Sequence, residues 1–192
     1  EEPHGVPRTD DAGVGGDARW LEATAKGSYY KTISEDLNLV GILSVGAGHI
    51  KATGNPIDPK TTPDGILVGD LFKANSEIVR GFKASGFGPT VGADFIGGTT
   101  YLSASAEMQF PMPAIPESIG IKGAVFADIG TLFGTPYATT VSNTAMAWRS
   151  SVGASLIWAS PFGPLRVDYA VPVLKEAHDK VQNFNFGIST KF

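Results

Sequence analysis

The stretch NFNFGISTKF, residues 183–192, alternates with a period of two. Phe184, Phe186, Ile188 and Phe192 fall on one face together with Thr190, and Asn183, Asn185, Gly187, Ser189 and Lys191 fall on the other. Neighbouring side chains of an extended chain point to opposite sides, so this pattern predicts a β-strand with one oily and one wet face. The same count holds upstream. Leu165, Val167, Tyr169, Val171 and Val173 alternate with Arg166, Asp168, Ala170 and Pro172. Trp148, Val152, Ala154, Leu156 and Trp158 oppose Arg149, Ser151, Gly153 and Ser155. Ile119, Ile121, Val125, Ala127 and Ile129 oppose Lys122, Ala124, Phe126 and Asp128, and Leu102, Ala104, Ala106, Met108 and Phe110 oppose Tyr101, Ser103, Ser105, Glu107 and Gln109. Two weaker runs cover about 18–31 and 37–50. Seven strands are predicted.

The links between them alternate in length. Short ones lie at 34–36, 111–118 and 160–163, and long ones at 51–98, 134–147 and 174–181. Short turns at one end and long loops at the other describe an up-and-down antiparallel sheet. The 51–98 segment is too long for a structureless connection inside a compact fold, so it is expected to be functional or internally folded. Pro172, inside a strand run, predicts a bulge or strand end.

Alternation alone leaves two architectures open. In a soluble sandwich or ligand-binding barrel the oily face points inward; in a membrane barrel it points outward to lipid. Here the polar faces are rich in Gly, Ser and Asn and poor in Lys and Glu, unlike a water-facing surface. Trp148, Trp158, Tyr169, Phe184 and Phe192 sit near the ends of runs, where interfacial girdles place aromatics. Composition therefore favours the membrane barrel.

Other classes are excluded or weakened. No apolar run approaches the ~18–20 residues of a spanning helix. A net charge of −4 and an isoelectric point near 5.3 argue against a nucleic-acid partner. With no cysteine, disulfide frameworks, Cys-ligated zinc and thiol catalysis are removed together. His4, His49 and His178 lie in three segments without ligand spacing, so no metal site is expected. No G-x-S-x-G elbow, P-loop or G-x-G-x-x-G occurs in the required context, so neither enzymatic activity nor a cofactor is expected. The polar start, EEPHGVPRTDDAGVGG, has no basic segment followed by an apolar one, so no signal peptide is expected there; the chain is either cytoplasmic or an internal piece of a longer protein.

Within the long link stands Val79-Arg80-Gly81-Phe82, followed by Gly86, Gly88 and Pro89. IVRGFKASGFGP, then GGTTYLSASAEMQFP, GAVFADIGT, RSSVGASLIWASPFGPLRVDYAVPV and FNFGISTKF occur in that order. The sequence resembles the BamA-type outer-membrane protein assembly factors, and more broadly the insertase and two-partner-secretion barrel superfamily, over essentially its whole length. The resemblance implies an all-β, antiparallel up-and-down transmembrane β-barrel, with about seven C-terminal strands of an expected sixteen. Residues 1–16 would be an extracellular loop, 51–98 a long extracellular loop folding into the lumen, and 182–192 the closing strand. A seven-stranded piece would keep two open edges.

The resemblance also implies roles. Its function would be folding and inserting β-barrel proteins into the bacterial outer membrane; the alternatives are a TamA-like or two-partner secretion pore, or a plain outer-membrane channel. Partners would be outer-membrane lipids, nascent β-barrel proteins, assembly-machinery lipoproteins and POTRA domains upstream. Taken alone, Arg80 reads as a solvated loop arginine. The resemblance places it against the barrel wall, with Glu107 and Asp128 as acidic partners, Phe126 as a stacking surface and Gly130 completing the wall motif. Parity is compatible, because Phe126 and Asp128 share the polar face of one strand and Glu107 that of the one before. Gly81 would allow a tight loop tip and Phe82 would anchor it. Phe184, Phe186, Ile188 and Phe192 would form a β-signal recognised by edge pairing, or simply face lipid.

Overall fold

The computed structural model describes residues 4–12, 20–53, 66–113, 115–137, 141–160 and 163–188. The chain folds as strands β1 (His4–Ala12), β2 (Trp20–Ser34), β3 (Leu39–Ala52), β4 (Thr90–Val91), β5 (Asp94–Phe95), β6 (Thr100–Pro111), β7 (Ile121–Phe133), β8 (Trp148–Ser160), β9 (Gly163–Leu174) and β10 (Phe184–Ile188). Eight of them form one antiparallel sheet in the order β1-β2-β3-β6-β7-β8-β9-β10, and β4-β5 is a separate small hairpin. Among the described residues there is no α-helix, only a 3-10 turn at Glu117–Ile119, and no helix is long and apolar enough to cross a membrane.

Register shows what each face is made of. Tyr29, Leu43, Ala106, Ala127, Val152 and Val171 line up across six strands, and all are exposed. The next row is Ser28, Ser44, Ser105, Asp128, Ser151 and Pro172, on the opposite face. Val45, Leu156, Phe184 and Phe186 extend the apolar surface, the two phenylalanines about 60% exposed. A continuous oily wall of this kind far exceeds what a water-soluble surface carries, whereas lipid accepts it without cost. The outward-apolar sense expected of a membrane barrel is the observed one. The strands β2, β3 and β6–β9 run 12 to 15 residues, longer than the ~9–11 that cross the hydrocarbon core.

All seven expected strands are present. The expectation of a loop over 1–16 is corrected: His4–Ala12 is a strand, paired with β2 from His4↔Ser28 to Ala12↔Trp20. The segment lacks apolar alternation, so its sequence gave no strand signal. Its backbone N–H and C=O groups are paired along the ladder with β2. Beside Pro172 the register shifts, with Ser150 opposite Leu174 and Ser151 opposite Pro172, leaving a bulge where the proline predicts one.

Of the 51–98 link, residues 66–98 pack on the polar face of the sheet. One apolar cluster joins Ile66, Leu71 and Ile96 to Ile50. A second joins Ala74, Ile78, Val79, Phe82 and Phe87 to Tyr101 and Leu132 of the wall. The β4-β5 hairpin, a Phe72↔Gly98 bridge and a turn closed by Ile78 N–H to Asn75 O give the segment internal structure. Residues 54–65 of the link lie outside the described residues.

Candidate functional site

The Val79-Arg80-Gly81-Phe82 motif is pressed into the concave face. Val79 is fully buried, and it reaches the wall because Gly130 of β7 has no side chain. A Cβ at Gly130 would stand 2.8 Å from Val79 Cγ2 and 2.9 Å from the Ile78 carbonyl oxygen. Gly81 has φ +92°, and a Cβ there would lie 3.2 Å from Ala170 Cβ. Both the backbone turn and the close approach to β9 therefore call for glycine. Phe82 anchors the far side, edge-on to Phe87 with ring centroids 5.2 Å apart.

Arg80 is held on every side. Its Nε donates to Asp128 Oδ2 at 2.7 Å and its Nη2 to Asp128 Oδ1 at 2.7 Å, a two-pronged contact. Its backbone N–H also donates to Asp128 Oδ2, at 3.1 Å. Nη1 reaches Glu107 Oε2 at 2.8 Å, and Nη2 reaches Ser105 Oγ at 3.0 Å. The guanidinium carbon lies 3.3 Å from the centroid of the Phe126 ring, so the plane stacks while its edge binds acids. Burial works against the Arg80 charge, but Asp128 and then Glu107 outweigh it and hold the pKa above the ordinary arginine value. Glu107, Phe126, Asp128 and Gly130 are thus all brought to the motif.

Arg166, Asp168 and Ser155 also join this cluster, and the sequence did not single them out. Arg166 of β9 donates to both Glu107 oxygens, at 3.1 and 2.7 Å, and through Nε to Asp168 Oδ1 at 2.7 Å. Ser155 Oγ bridges Arg166 and Asp168. The signal available was parity: Arg166 and Asp168 lie on the same polar face as Asp128. What parity could not show is that an arginine from β9 reaches back to a glutamate on β6. The cluster contains two guanidinium groups, Arg80 and Arg166, and three carboxylates, Glu107, Asp128 and Asp168. Without Arg80 the wall would hold three acids against one cation, so the wall itself favours an inserted arginine. Both oxygens of Asp128 and of Glu107 are occupied by guanidinium, hydroxyl or amide donors. The arrangement suits docking of a loop.

Of the closing-strand residues whose side chains are described, Phe184 and Phe186 do not take part in this cluster. Phe184 and Phe186 are on the opposite, exposed face. Ile188 is paired through its backbone with Leu165, and Phe192 lies outside the described residues.

An outward-apolar antiparallel wall with a long loop docked on its polar face defines an outer-membrane-type β-barrel with a lumenal loop. The Omp85 superfamily domain matches residues 8–192, and the chain belongs to that superfamily. It is 34% identical over 183 residues to an outer membrane protein assembly factor BamA of Neorickettsia risticii, covering 94% of this chain and 23% of that protein. A BamA of Neisseria meningitidis is 28% identical over 142 residues, covering 59% of this chain and 17% of the relative. A SAM50-like protein of Drosophila melanogaster is 26% identical over 187 residues, covering 94% of this chain and 38% of the relative. The crystal structure of BamA from Haemophilus ducreyi lacking POTRA domains 1-3 superposes with a TM-score of 0.80 at 22% identity, over 96% of this chain and 37% of that one. The chain therefore spans about a quarter of the length of the first of these relatives. It is a protein of the bacterial outer membrane.

Proposed function

We propose that this chain forms part of the barrel of an outer-membrane insertase, which folds β-barrel proteins and inserts them into the outer membrane. The observation that carries this reading is the seating of Arg80 on Asp128, Glu107 and Phe126, in a chain 34% identical to a BamA assembly factor. A docked lumenal loop of this kind braces the wall from inside while a substrate strand pairs at an edge of the complete barrel. Edge pairing supplies the chemistry: backbone donors and acceptors of the incoming chain are satisfied by the exposed edge before the new barrel closes. The work is done without covalent chemistry and without a cofactor. Assembly lipoproteins and upstream POTRA domains are the partners this function calls for.

The test is reconstitution. The complete protein in liposomes is given an unfolded outer-membrane β-barrel substrate, and folding is followed by heat-modifiable gel mobility. Folding faster than in empty liposomes is expected; equal rates would overturn the proposal.

A further inference from the structure

The connection between β9 and β10 carries a second buried ion pair, separate from the Arg80 cluster. Arg149, at the start of β8, donates from Nε to Asp179 Oδ2 and from Nη2 to Asp179 Oδ1, both at 3.0 Å. Its Nη1 donates to the Ala147 carbonyl at 2.8 Å. Asp179 Oδ2 also accepts the Glu176 N–H at 2.8 Å. The side chains are 2% and 0% exposed, so removing either partner strands a charge away from water.

The same connection is bonded to the motif loop. Gln182 N–H donates to Gly81 O at 3.0 Å, Lys83 N–H to Lys180 O at 2.9 Å, and Lys180 N–H to Gly86 O at 2.8 Å. These bonds flank an antiparallel bridge between Phe82 and Val181. The Arg149 guanidinium lies 5.4 Å from the centroid of Phe87, itself packed on Phe82. Next along the chain, Asn183 exchanges two 2.8 Å bonds with the backbone of Ala170, and Phe184 opens β10. Among the described residues β10 pairs with β9 from Phe184↔Tyr169 to Ile188↔Leu165, and the Asn183–Ala170 bonds continue that pairing into the connection.

We infer that Arg149 and Asp179 are positioning residues that couple the seating of the Arg80 loop to the pairing of the closing strand. With the pair intact, loop 79–88, connection 175–183 and β10 behave as one cooperative unit. With it broken, the connection loosens, and the loop and β10 lose their support together. This rests on the insertase reading in one respect: release of the closing strand is then a working step.

Hydrogen exchange of the complete protein in lipid nanodiscs tests it. Asp179→Asn is expected to speed exchange about tenfold or more in peptides covering both 79–88 and 184–188, with β7 unchanged. The exchanged pair, Arg149→Asp with Asp179→Arg, is expected to recover much of that protection. Should Asp179→Asn fail to form a heat-modifiable barrel, Arg149→Lys keeps the charge and loses the two-pronged contact; a smaller rise in the same two peptides is expected. Faster exchange confined to 175–183 in either variant, with 79–88 and 184–188 still protected, would overturn the coupling. Substrate insertion is measured on the same samples. Coupled exchange with wild-type insertion would leave the coupling standing and remove strand release as a working step.

Discussion

Arg80 and Arg166 end on the same atom: Glu107 Oε2 accepts from Arg80 Nη1 at 2.8 Å and from Arg166 Nη2 at 2.7 Å. One guanidinium comes from the docked loop and the other from β9. Glu107 is therefore the anion that lets two like charges approach inside the lumen, and the loop's seating depends on strands β6, β7 and β9 together.

Removing that anion is predicted to matter more than removing a neutral neighbour. Glu107→Gln removes the carboxylate that Arg80 and Arg166 share, leaving each with its aspartate alone, and is expected to cost about 3 kcal/mol of barrel stability. Ser105→Ala, which loses one hydroxyl contact, is expected to cost about 1 kcal/mol. Denaturant midpoints read from heat-modifiable mobility rank the two. A Ser105→Ala effect equal to that of Glu107→Gln would show that Glu107 has no special place.

Charge reversal addresses direct pairing. Arg80→Glu is expected to reduce substrate insertion at least tenfold, because it sets a fourth carboxylate among Glu107, Asp128 and Asp168. Asp128→Arg alone is expected to be comparably damaging. Combined, they restore a pair in opposite sense, and part of the activity should return. Simply additive damage would count against the contact.

Gly130 gives a steric prediction. Gly130→Ala puts a methyl within 3 Å of Val79 and of the Ile78 carbonyl, so the loop must lift while β7 keeps its pairing. A loss of about 1–3 kcal/mol is expected, with faster protease cleavage in 66–98 and little change in strand content. Unchanged cleavage would mean that the loop does not need this close approach.

The three tryptophans report which face meets lipid. Trp148 and Trp158 are on the outer wall, and Trp20 packs against the lumenal cluster of Ile50, Ile66, Leu71 and Ile96. In single-tryptophan variants in brominated-lipid vesicles, fluorescence from Trp148 and Trp158 should be quenched and that of Trp20 largely spared. Strong quenching of Trp20 with Trp158 untouched would invert the assignment of faces.

Much of this molecule was present in one-dimensional form. Strand positions and the face each side chain occupies follow from a period of two, because pleating ties sequence parity to direction. That is why Glu107, Phe126 and Asp128 could be placed on one face without coordinates, and the family motif then supplied Arg80. Parity is silent on distance around a curved sheet and on how loops meet. Arg166 reaching from β9 to β6, Arg149 closing on Asp179, and the ladder between 81–86 and 180–182 all arise where chain segments far apart in sequence are brought together by curvature and loop packing. The strand at His4–Ala12 belongs to the same category, since its backbone pairing with β2 identifies it and no alternation in its sequence does. Local alternation fixes which way a residue points; partners across the concave face are chosen by the curvature of the sheet and the packing of its loops.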